Sequence, residues 1–582
     1  MKEAVMKKVT VFAALVVLLL AAQLVQAQPE PVPIVTPVLI DSAVYNGIYT
    51  GFQSQIYCEP TTGNLVTAWY RYYSSDSDPR RITAATSIDG GQSWMIHEAI
   101  NFGVGDHMNA RYATVAGTPM TPLIGYSDRN PGGDNRDSRP TVAYDIAGWN
   151  GGAFVNLFVD DGGSADTVLY GRYVSLAVAP SNNDMWAVGT YHREGSNRAM
   201  FYYYTKDAGA SWHGPSVVAS SFPVDSGRAI WFRDLSFIGM GVGIDNSNNV
   251  MSCFRGQVEP DDNNALWMVL YSMSSDFGQT WTAPATIPGS EHLYTGTADT
   301  YRPVSSPIVD KDGNWHIFVI AIDTLETPDW NSVPQPYRAF DFRYDGSTWT
   351  VDKFVFPSFL ENGIIAWGDF PPDIETYQMN EPAIGPDGTL YYAYTDVIDT
   401  TGAMGKLDYY NFAIKVMFSE DNGDTWQGPV TVLEQWEGRS PNGMAKYATD
   451  KLHIVYRQHF DSDKTDLFWY IGVPTDTVKA LATKVDQRVS KVMPEDFALH
   501  QNYPNPFNPT TNITFDLAQS AKVTLKIYNE LGQEVATLID QKQMDAGFKG
   551  ITWHASDLPS GVYIYKLTAG SYSATKKMIL TK

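Results

Sequence analysis

The octapeptide Ser87-Ile-Asp-Gly-Gly-Gln-Ser-Trp94 decides the fold, because close copies of it begin at Thr205, Ser274 and Ser419. All four follow the pattern Ser/Thr-x-Asp-x-Gly-x-Ser/Thr-Trp. The Asp accepts hydrogen bonds from backbone N–H groups of its own turn, the Gly supplies a left-handed conformation, and the Trp buries a large ring. We therefore interpret the aspartates as residues that hold turns rather than as catalytic carboxylates. They are Asp89, Asp207, Asp276 and Asp421.

The pattern resembles the Asp-box, or BNR repeat, of sialidases and related β-propellers. Two degenerate copies fill the longer gaps, with Asp145 preceding Trp149 and Asp345 preceding Trp349. The six aspartates then recur at a regular spacing, and a regular recurrence of this kind is the signature of a repeat architecture. The resemblance implies an all-β propeller with Asp-box turns.

A turn followed by an apolar strand precedes each box, and a seventh example at Asp450–Tyr456 has no box after it. Seven strand pairs favour a seven-bladed propeller, and six blades, the number in sialidases, is the alternative. We expect an N-terminal strand near Val38–Val44 to complete the last blade, because a shared blade leaves no free sheet edge. We expect very little helix.

Residues 1–27 are expected to be a secretory signal peptide. Lysines in Met1–Lys8 precede an apolar run at Val9–Ala22, and Val25–Ala27 offers a small-residue cleavage site. The apolar run is too short to span a bilayer comfortably, so we expect no membrane span in the mature chain. The propeller is then expected over residues 28–474. Residues 475–496 are a linker, either a short helix or flexible.

Residues 497–582 are expected to be a separate small antiparallel β-sandwich, because apolar and polar residues alternate there between turn signals. This unit resembles the type A C-terminal sorting domain of the type IX secretion system. The matching stretches are Gln501–Phe507, Tyr528–Gly532, Ser560–Tyr563 and Lys577–Leu580. The resemblance implies export through the periplasm of a Gram-negative bacterium, to the medium or the cell surface, with removal of the domain or its exchange for an anchor. The secretion machinery is the implied partner.

The composition excludes some classes of function. The chain has 41 Lys and Arg against 64 Asp and Glu, a net charge of −23, which disfavours a nucleic-acid binder. The two cysteines, Cys58 and Cys253, fall in distant repeats. We expect both to be buried in strands rather than joined in a disulfide.

Arginines concentrate at the predicted ends of second strands and starts of first strands, which share one face of a propeller with the long loops. The candidate ligand-binding residues are Arg71, Arg111, Arg129, Arg193, Arg233, Arg255, Arg302 and Arg457. Guanidinium groups recognise carboxylate or phosphate through paired hydrogen bonds, so we expect a mouth for an anionic ligand such as an acidic sugar. The alternative is a rim of salt bridges to Asp128, Asp234, Asp323 and Asp396.

Two stretches resemble sialidase motifs: Tyr301-Arg302-Pro303, and Asn380–Gly388 with Glu381 as the counterpart of the conserved glutamate. The chain departs from the sialidase pattern in two places. Asp396 stands where an arginine is expected, and no tyrosine occurs in Arg439–Gly443. Glu381 and Asp396 are therefore the catalytic candidates only for a related glycoside hydrolase. No cofactor is expected. We interpret Asp310–Asn314 and Asp128–Asp137 as turns, and calcium binding there is the less favoured alternative.

These observations predict an exported propeller that binds a glycan or another surface polymer through its loop-rich face. A secreted hydrolase related to sialidases is one alternative, so the presence of enzymatic activity stays open. An inert adhesive or structural surface protein is the other.

Overall fold

A computed structural model describes residues 35–582 except 44–48, 51–54, 72–80, 102–109, 130–137, 160–171, 195–196, 221–231, 259–267, 292, 295–303, 324–337, 356–380, 400–410, 436–441, 461–464, 483–489 and 492. The expected signal peptide and Arg302 lie outside the described residues. The fold is nearly all-β, as expected, with one helix in the described part of the chain. No helix in the described part of the chain is long and apolar enough to cross a membrane.

Strand β1 spans Val38–Ala43. Sheet 1 contains β2 (Tyr49–Thr50), β3 (Ile56–Cys58), β4 (Leu65–Arg71), β5 (Arg81–Ser87) and β6 (Met95–His97). Sheet 2 contains β7 (Arg111–Gly117), β8 (Pro122–Arg129), β9 (Ser138–Asp145) and β10 (Phe154–Phe158). Sheet 3 contains β11 (Arg172–Ala179), β12 (Asn182–Glu194), β13 (Asn197–Thr205) and β14 (His213–Ser220). Sheet 4 contains β15 (Phe232–Ile244), β16 (Val250–Val258), β17 (Met268–Ser274) and β18 (Ala285–Thr286).

Sheet 5 contains β19 (Leu293–Tyr294), β20 (Ile308–Val309), β21 (Trp315–Asp323), β22 (Arg338–Tyr344) and β23 (Trp349–Val355). Sheet 6 contains β24 (Glu381–Ile384), β25 (Leu390–Asp399), β26 (Asn411–Ser419) and β27 (Gln427–Gln435). Sheet 7 contains β28 (Asn442–Met444), β29 (Lys451–Phe460) and β30 (Thr465–Pro474), and β1 is its fourth strand.

The seven sheets found among the described residues form a ring. Within each sheet, consecutive strands pair antiparallel, and the first strands of successive sheets contact one another in order until β28 returns to β3. The end of β24 also exchanges hydrogen bonds with the segment that follows β28, from the Ile384 N–H to the Lys446 carbonyl (2.9 Å) and from the Ala448 N–H to the Ile384 carbonyl (2.9 Å). The propeller prediction is confirmed.

The N-terminal strand β1 pairs with β30 from Val38 opposite Tyr470 to Ala43 opposite Asp466. The expectation that a strand near Val38–Val44 completes the last sheet is therefore correct. The pairing joins the two ends of the ring and covers the edge that β30 would otherwise expose.

The box tryptophans pack between sheets rather than within one. Trp281 of sheet 4 contacts Tyr202 of sheet 3 with ring centroids 5.0 Å apart, and Trp426 of sheet 6 contacts Phe318 of sheet 5 at 5.7 Å. Both pairs are edge-to-face, an arrangement that adds about 1 kcal/mol to the burial of each ring. Each of these boxes thus ties its sheet to the preceding one. Cys58 and Cys253 are buried, unpaired thiols in β3 and β16, as expected.

Helix α1 (Thr475–Ala482) follows β30 and buries Val478 and Ala482 against the core shared by sheets 6 and 7. The first part of the expected linker is therefore a helix. Strand β31 (Ser490–Lys491) follows residues 483–489, which the structure does not describe.

The C-terminal sandwich has two layers with a core of its own. One layer contains β34 (Ala521–Asn529), β35 (Glu534–Met544), β37 (Gly561–Ala569) and β38 (Tyr572–Leu580). The other contains β32 (Ala498–Leu499), β33 (Thr510–Leu517) and β36 (Gly547–His554). Strand β36 also pairs with β23, so the second layer continues sheet 5 of the propeller.

Candidate functional site

The Asp-boxes form closed hydrogen-bonded turns on one face of the ring, which we name the box face. In the box of sheet 6, the Ser419 hydroxyl donates to Asp421 Oδ1 (2.7 Å) and accepts the Gly423 N–H (2.8 Å). The Thr425 N–H donates to Asp421 Oδ1 (2.8 Å) and its hydroxyl to Oδ2 (2.6 Å). The boxes at Asp89, Asp207 and Asp276 repeat these contacts.

These hydrogen bonds also fix the charge of the carboxylates. Hydroxyl and N–H donors favour the ionised form and outweigh burial, which lowers the pKa of Asp89 to about 2. The same donors lower the pKa of Asp276 and of Asp421. Each of these carboxylates is occupied by its own turn. In the degenerate boxes, Asp145 accepts the Ala147 N–H (3.0 Å) and Asp345 accepts the Ser347 N–H (2.9 Å). Asp345 Oδ2 also accepts a hydrogen bond from Lys542 Nζ of the sandwich (2.7 Å).

A buried charged cluster lies under the box face of sheet 5. His316 Nδ1 contacts Asp341 Oδ2 at 2.9 Å, and Nε2 contacts Asp310 Oδ2 at 3.3 Å. Burial opposes protonation, but the two carboxylates outweigh it and raise the pKa of His316 to about 9. Nearby, Arg343 crosses to the box of sheet 6, where it donates to the Asn422 carbonyl (2.8 Å) and to Asp424 Oδ1 (2.7 Å). The cluster therefore joins two sheets.

The opposite face, which we name the rim, carries the arginines expected to bind a ligand. Strand register shows why they converge. Arg111 at the start of β7 lies opposite Ser127 near the end of β8, and Arg172 at the start of β11 lies opposite Tyr191 in β12. Starts of first strands and ends of second strands therefore share this face in each sheet.

Three described rim arginines are engaged in the protein itself. Arg71 Nη1 contacts Asp41 Oδ2 of β1 at 2.9 Å, and Arg457 Nε lies 3.9 Å from Asp466 Oδ1 of β30. Arg255 is fully buried, at 0% exposure. Strands β16 and β29 continue past these last two arginines to Val258 and Phe460, so their side chains lie inside the sheet packing. The carboxylates in these ion pairs are Asp41 and Asp466, rather than the aspartates considered from sequence.

Arg111 forms no ion pair with any described residue, in contrast to Arg71 and Arg457. It is half-buried, and its buried Nε has no hydrogen-bond acceptor within the described ranges. A buried donor without a partner costs about 1–3 kcal/mol, so its persistence calls for an explanation.

For the other candidates, the structure describes only the backbone. Arg129, Arg193 and Arg233 lie in β8, β12 and β15, while Glu381 and Asp396 lie in β24 and β25. Arg302 lies outside the described residues. The calcium alternative at Asp310–Asn314 coincides with a turn in which Asp310 Oδ1 accepts the Asp312 and Asn314 N–H groups (2.9 and 2.8 Å). The described parts of the chain contain no group of three or more His, Cys, Asp or Glu residues able to hold a metal.

Third strands bring a second set of arginines to the rim, which the sequence interpretation missed. Arg81 lies directly opposite Arg71, Arg198 opposite Arg193, and Arg139 opposite Asp128. Arg139 also lies over the Phe158 ring, 4.0 Å from its centroid. A signal was available, since these arginines stand at the start of the apolar run after each second-to-third-strand loop.

Residues 501–581 match the family described as "Secretion system C-terminal sorting domain". The C-terminal sandwich is a type IX sorting domain. The chain is accordingly a protein exported by type IX secretion, to the cell surface or outside. No curated protein matches the chain in sequence.

Solved propeller structures resemble the chain weakly. A PL25 ulvan lyase bound to -[GlcA(1-4)Rha3S]- is 11% identical, covers 76% of this chain and 99% of its own, and has a TM-score of 0.46. Trypanosoma rangeli sialidase is 11% identical, with coverages of 94% and 89% and a TM-score of 0.40. Penicillium chrysogenum α-L-arabinanase is 10% identical, with coverages of 75% and 98% and a TM-score of 0.36. Likeness at this level carries no inference about activity.

Proposed function

We propose that the exported propeller binds an anionic glycan at its arginine-bearing rim. The observation that carries the proposal is the buried Nε of Arg111, which has no acceptor within the described ranges. An anionic oxygen from a ligand would satisfy it. Carboxylates and sulfates suit guanidinium groups because they accept two parallel hydrogen bonds.

The register of the third strands supports the same ligand class. Like charges placed directly opposite in adjacent strands destabilise a sheet unless an anion compensates them. Arg71 lies opposite Arg81, and Asp41 supplies an anion there. Arg193 lies opposite Arg198 in sheet 3, and Arg111 lies in sheet 2, whose first strand contacts the first strand of sheet 3. In a protein of net charge −23, this local excess of cations favours an acidic polymer over a neutral one.

The test is titration calorimetry of the full chain with an acidic oligouronate and, as a matched control, a neutral oligoglucoside of equal length. We expect binding of the oligouronate alone, weakening as salt rises. Arg111→Ala should reduce the affinity at least about tenfold, the loss expected for one charge-assisted contact. Equal binding of the neutral sugar, or full affinity in Arg111→Ala, would refute the proposal. Absence of binding would favour an inert structural surface, as the ion pairs of Arg71 and Arg457 suggest.

A secreted glycoside hydrolase is the second candidate. Glu381 begins β24 opposite Ala393, and Asp396 lies further along β25, so sheet 6 carries both residues toward the rim. Two neighbouring carboxyl groups are the usual requirement for glycoside cleavage. New reducing ends from the bound oligosaccharide, lost in Glu381→Gln while binding persists, would establish this activity.

A further inference from the structure

The sorting domain is joined to the propeller by strand pairing. Strand β36 pairs antiparallel with β23, from Trp349 opposite Gly550 to Val351 opposite Phe548. Strand β31 pairs with the far end of β23, where Phe354 lies opposite Lys491. An outer propeller strand has a row of free backbone groups that readily accepts another strand. The edge of sheet 5 is therefore covered by the chain's own C-terminal domain.

Side chains add close packing to this pairing. The Phe548 side chain packs against the apolar core between sheets 4 and 5. At Gly550 the contact is closer still, because a Cβ there would lie 2.0 Å from Pro288 Cβ, well inside van der Waals distance. The two surfaces meet so closely that a larger residue at position 550 would hold them apart.

A buried polar network, which we name the junction, lies beside the paired strands. Asn512 of the sandwich donates from Nδ2 to the Thr286 carbonyl (2.6 Å) and to Glu291 Oε1 (3.3 Å). The Tyr271 hydroxyl donates to Thr552 Oγ1 (3.1 Å), which donates to Asn512 Oδ1 (2.9 Å). Polar groups from both domains thus satisfy each other away from water.

Glu291 is the acidic residue of the junction. It is 8% exposed, and its Oε2 accepts the Gly289 N–H at 2.7 Å. Burial outweighs the hydrogen bonds from Gly289 and Asn512 and raises the pKa of Glu291 to about 7. The other titratable groups that act here are His500, which opposes the shift, and the phenols of Tyr503 and Tyr271.

Separation of the domains removes Asn512 from Glu291 and returns the carboxyl to water, where its pKa is near 4.5. The docked state therefore holds the proton more tightly than the separated state. Docking gains strength as the pH falls from about 7 to 4.5, and is weakest above pH 7, where Glu291 is ionised in both states.

We propose that the edge of sheet 5 is a docking surface that holds the sorting domain without covalent help while Glu291 is protonated, and that ionisation of Glu291 loosens it. The propeller would then retain the sorting domain after the connecting chain is cut, and an alkaline shift would favour its release. This proposal is independent of any glycan bound at the rim.

The test uses the full chain with a specific protease site inserted within residues 483–489. After cutting, the association of the two fragments is measured by sedimentation velocity over a dilution series at pH 5.5 and pH 8.5. We expect a complex at both values, with a Kd about 30-fold higher at pH 8.5, from a carboxyl pKa of about 7 docked and 4.5 free.

Three substitutions and one control variant identify the docking surface and the titrating group. Glu291→Gln, which mimics the neutral carboxyl, should remove the pH response, so that Kd is the same at both values. Gly550→Val should abolish association at both, whereas Gly561→Val, in the same domain with open space around its Cβ, should leave it unchanged. Phe548→Ala, which removes a contact with the propeller, should raise Kd at least about tenfold at both pH values.

Several results would overturn the proposal. Fragments that separate at every concentration and both pH values would rule out the docking surface. An equal Kd at both pH values in the unaltered chain, or a pH response that persists in Glu291→Gln, would exclude Glu291 as the controlling group. Circular dichroism of each cut sample shows whether the sandwich is folded. If Gly550→Val proves unfolded, Phe548→Ala decides the location of the surface.

Discussion

The two faces of the ring use charged residues in opposite ways. On the box face, each regular Asp-box carboxylate receives several hydrogen bonds from its own turn, and its pKa is lowered. On the rim, arginines arrive from several sheets, and their surroundings range from full burial at Arg255 to an unpartnered Nε at Arg111 within the described residues. A motif whose surroundings are the same in every repeat indicates a structural role. Arginines whose surroundings differ between repeats indicate positions where a ligand site is able to evolve.

Truncation of Arg255, a fully buried arginine of the rim, is the most direct test of this contrast between the two faces. Arg255→Ala should lower the free energy of unfolding by about 4 kcal/mol, because removing a fully buried charge leaves its surroundings unpaired. Urea unfolding measures the loss. Arg111→Ala is the matched control and should lose much less. Equal, small losses in both would show that Arg255 belongs to the ligand-binding group after all.

The buried His316 cluster of sheet 5 predicts that the free energy of unfolding falls at alkaline pH. The pKa of His316 is raised to about 9, so its contribution is complete below pH 6.5 and disappears as the pH rises through 9. The shift corresponds to about 3 kcal/mol. Unfolding free energies measured from pH 6 to pH 10 should show this decline. His316→Gln should abolish it, and a decline of the same size in that variant would assign the effect to another group.

A single Asp-box should contribute a smaller amount. Asp421→Ala should destabilise the chain by about 1 kcal/mol, because the turn keeps its backbone bonds but loses the carboxylate acceptor. The lowered pKa of Asp421 means that this contribution is present at neutral pH and is lost as the solution becomes strongly acidic. Asp540→Ala, at an exposed position of the sandwich, serves as control. No difference between the two variants in thermal unfolding would contradict the structural role of the box.

The smallest effect on stability is expected on the rim of sheet 3. Arg193→Ala combined with Arg198→Ala should change the unfolding free energy by less than about 0.5 kcal/mol, since it removes a like-charged pair from opposite strands. The affinity for an acidic oligouronate should nevertheless fall. A large loss of stability, with unchanged affinity, would place this pair with the structural charges of the box face.

Local chemistry made much of the fold predictable. The Asp-Gly turns depend on residues within one octapeptide, so their role was legible from residue types alone. The pairing of β1 with β30 followed from an unmatched strand and the need to cover an edge.

Features that depend on packing between distant segments were not predictable. The contact between Glu291 of the propeller and Asn512 of the sandwich was not predicted, because it depends on how the two domains meet. The burial of Arg255 and Arg457 was also missed, since both strands extend further than the apolar pattern indicates. The roles of Arg129, Arg193, Arg233, Arg302, Glu381 and Asp396 stay predictions.

The pairing of Val38 with Tyr470 has a consequence for biosynthesis. Strand β1 cannot pair until β30 has left the ribosome, which happens only after nearly the whole ring of sheets has been synthesised. Strand pairings between distant segments form slowly, because the entropy cost of ordering the intervening chain comes before the contacts that stabilise the pairing. The ring therefore cannot close until the segment that contains Tyr470 has been synthesised.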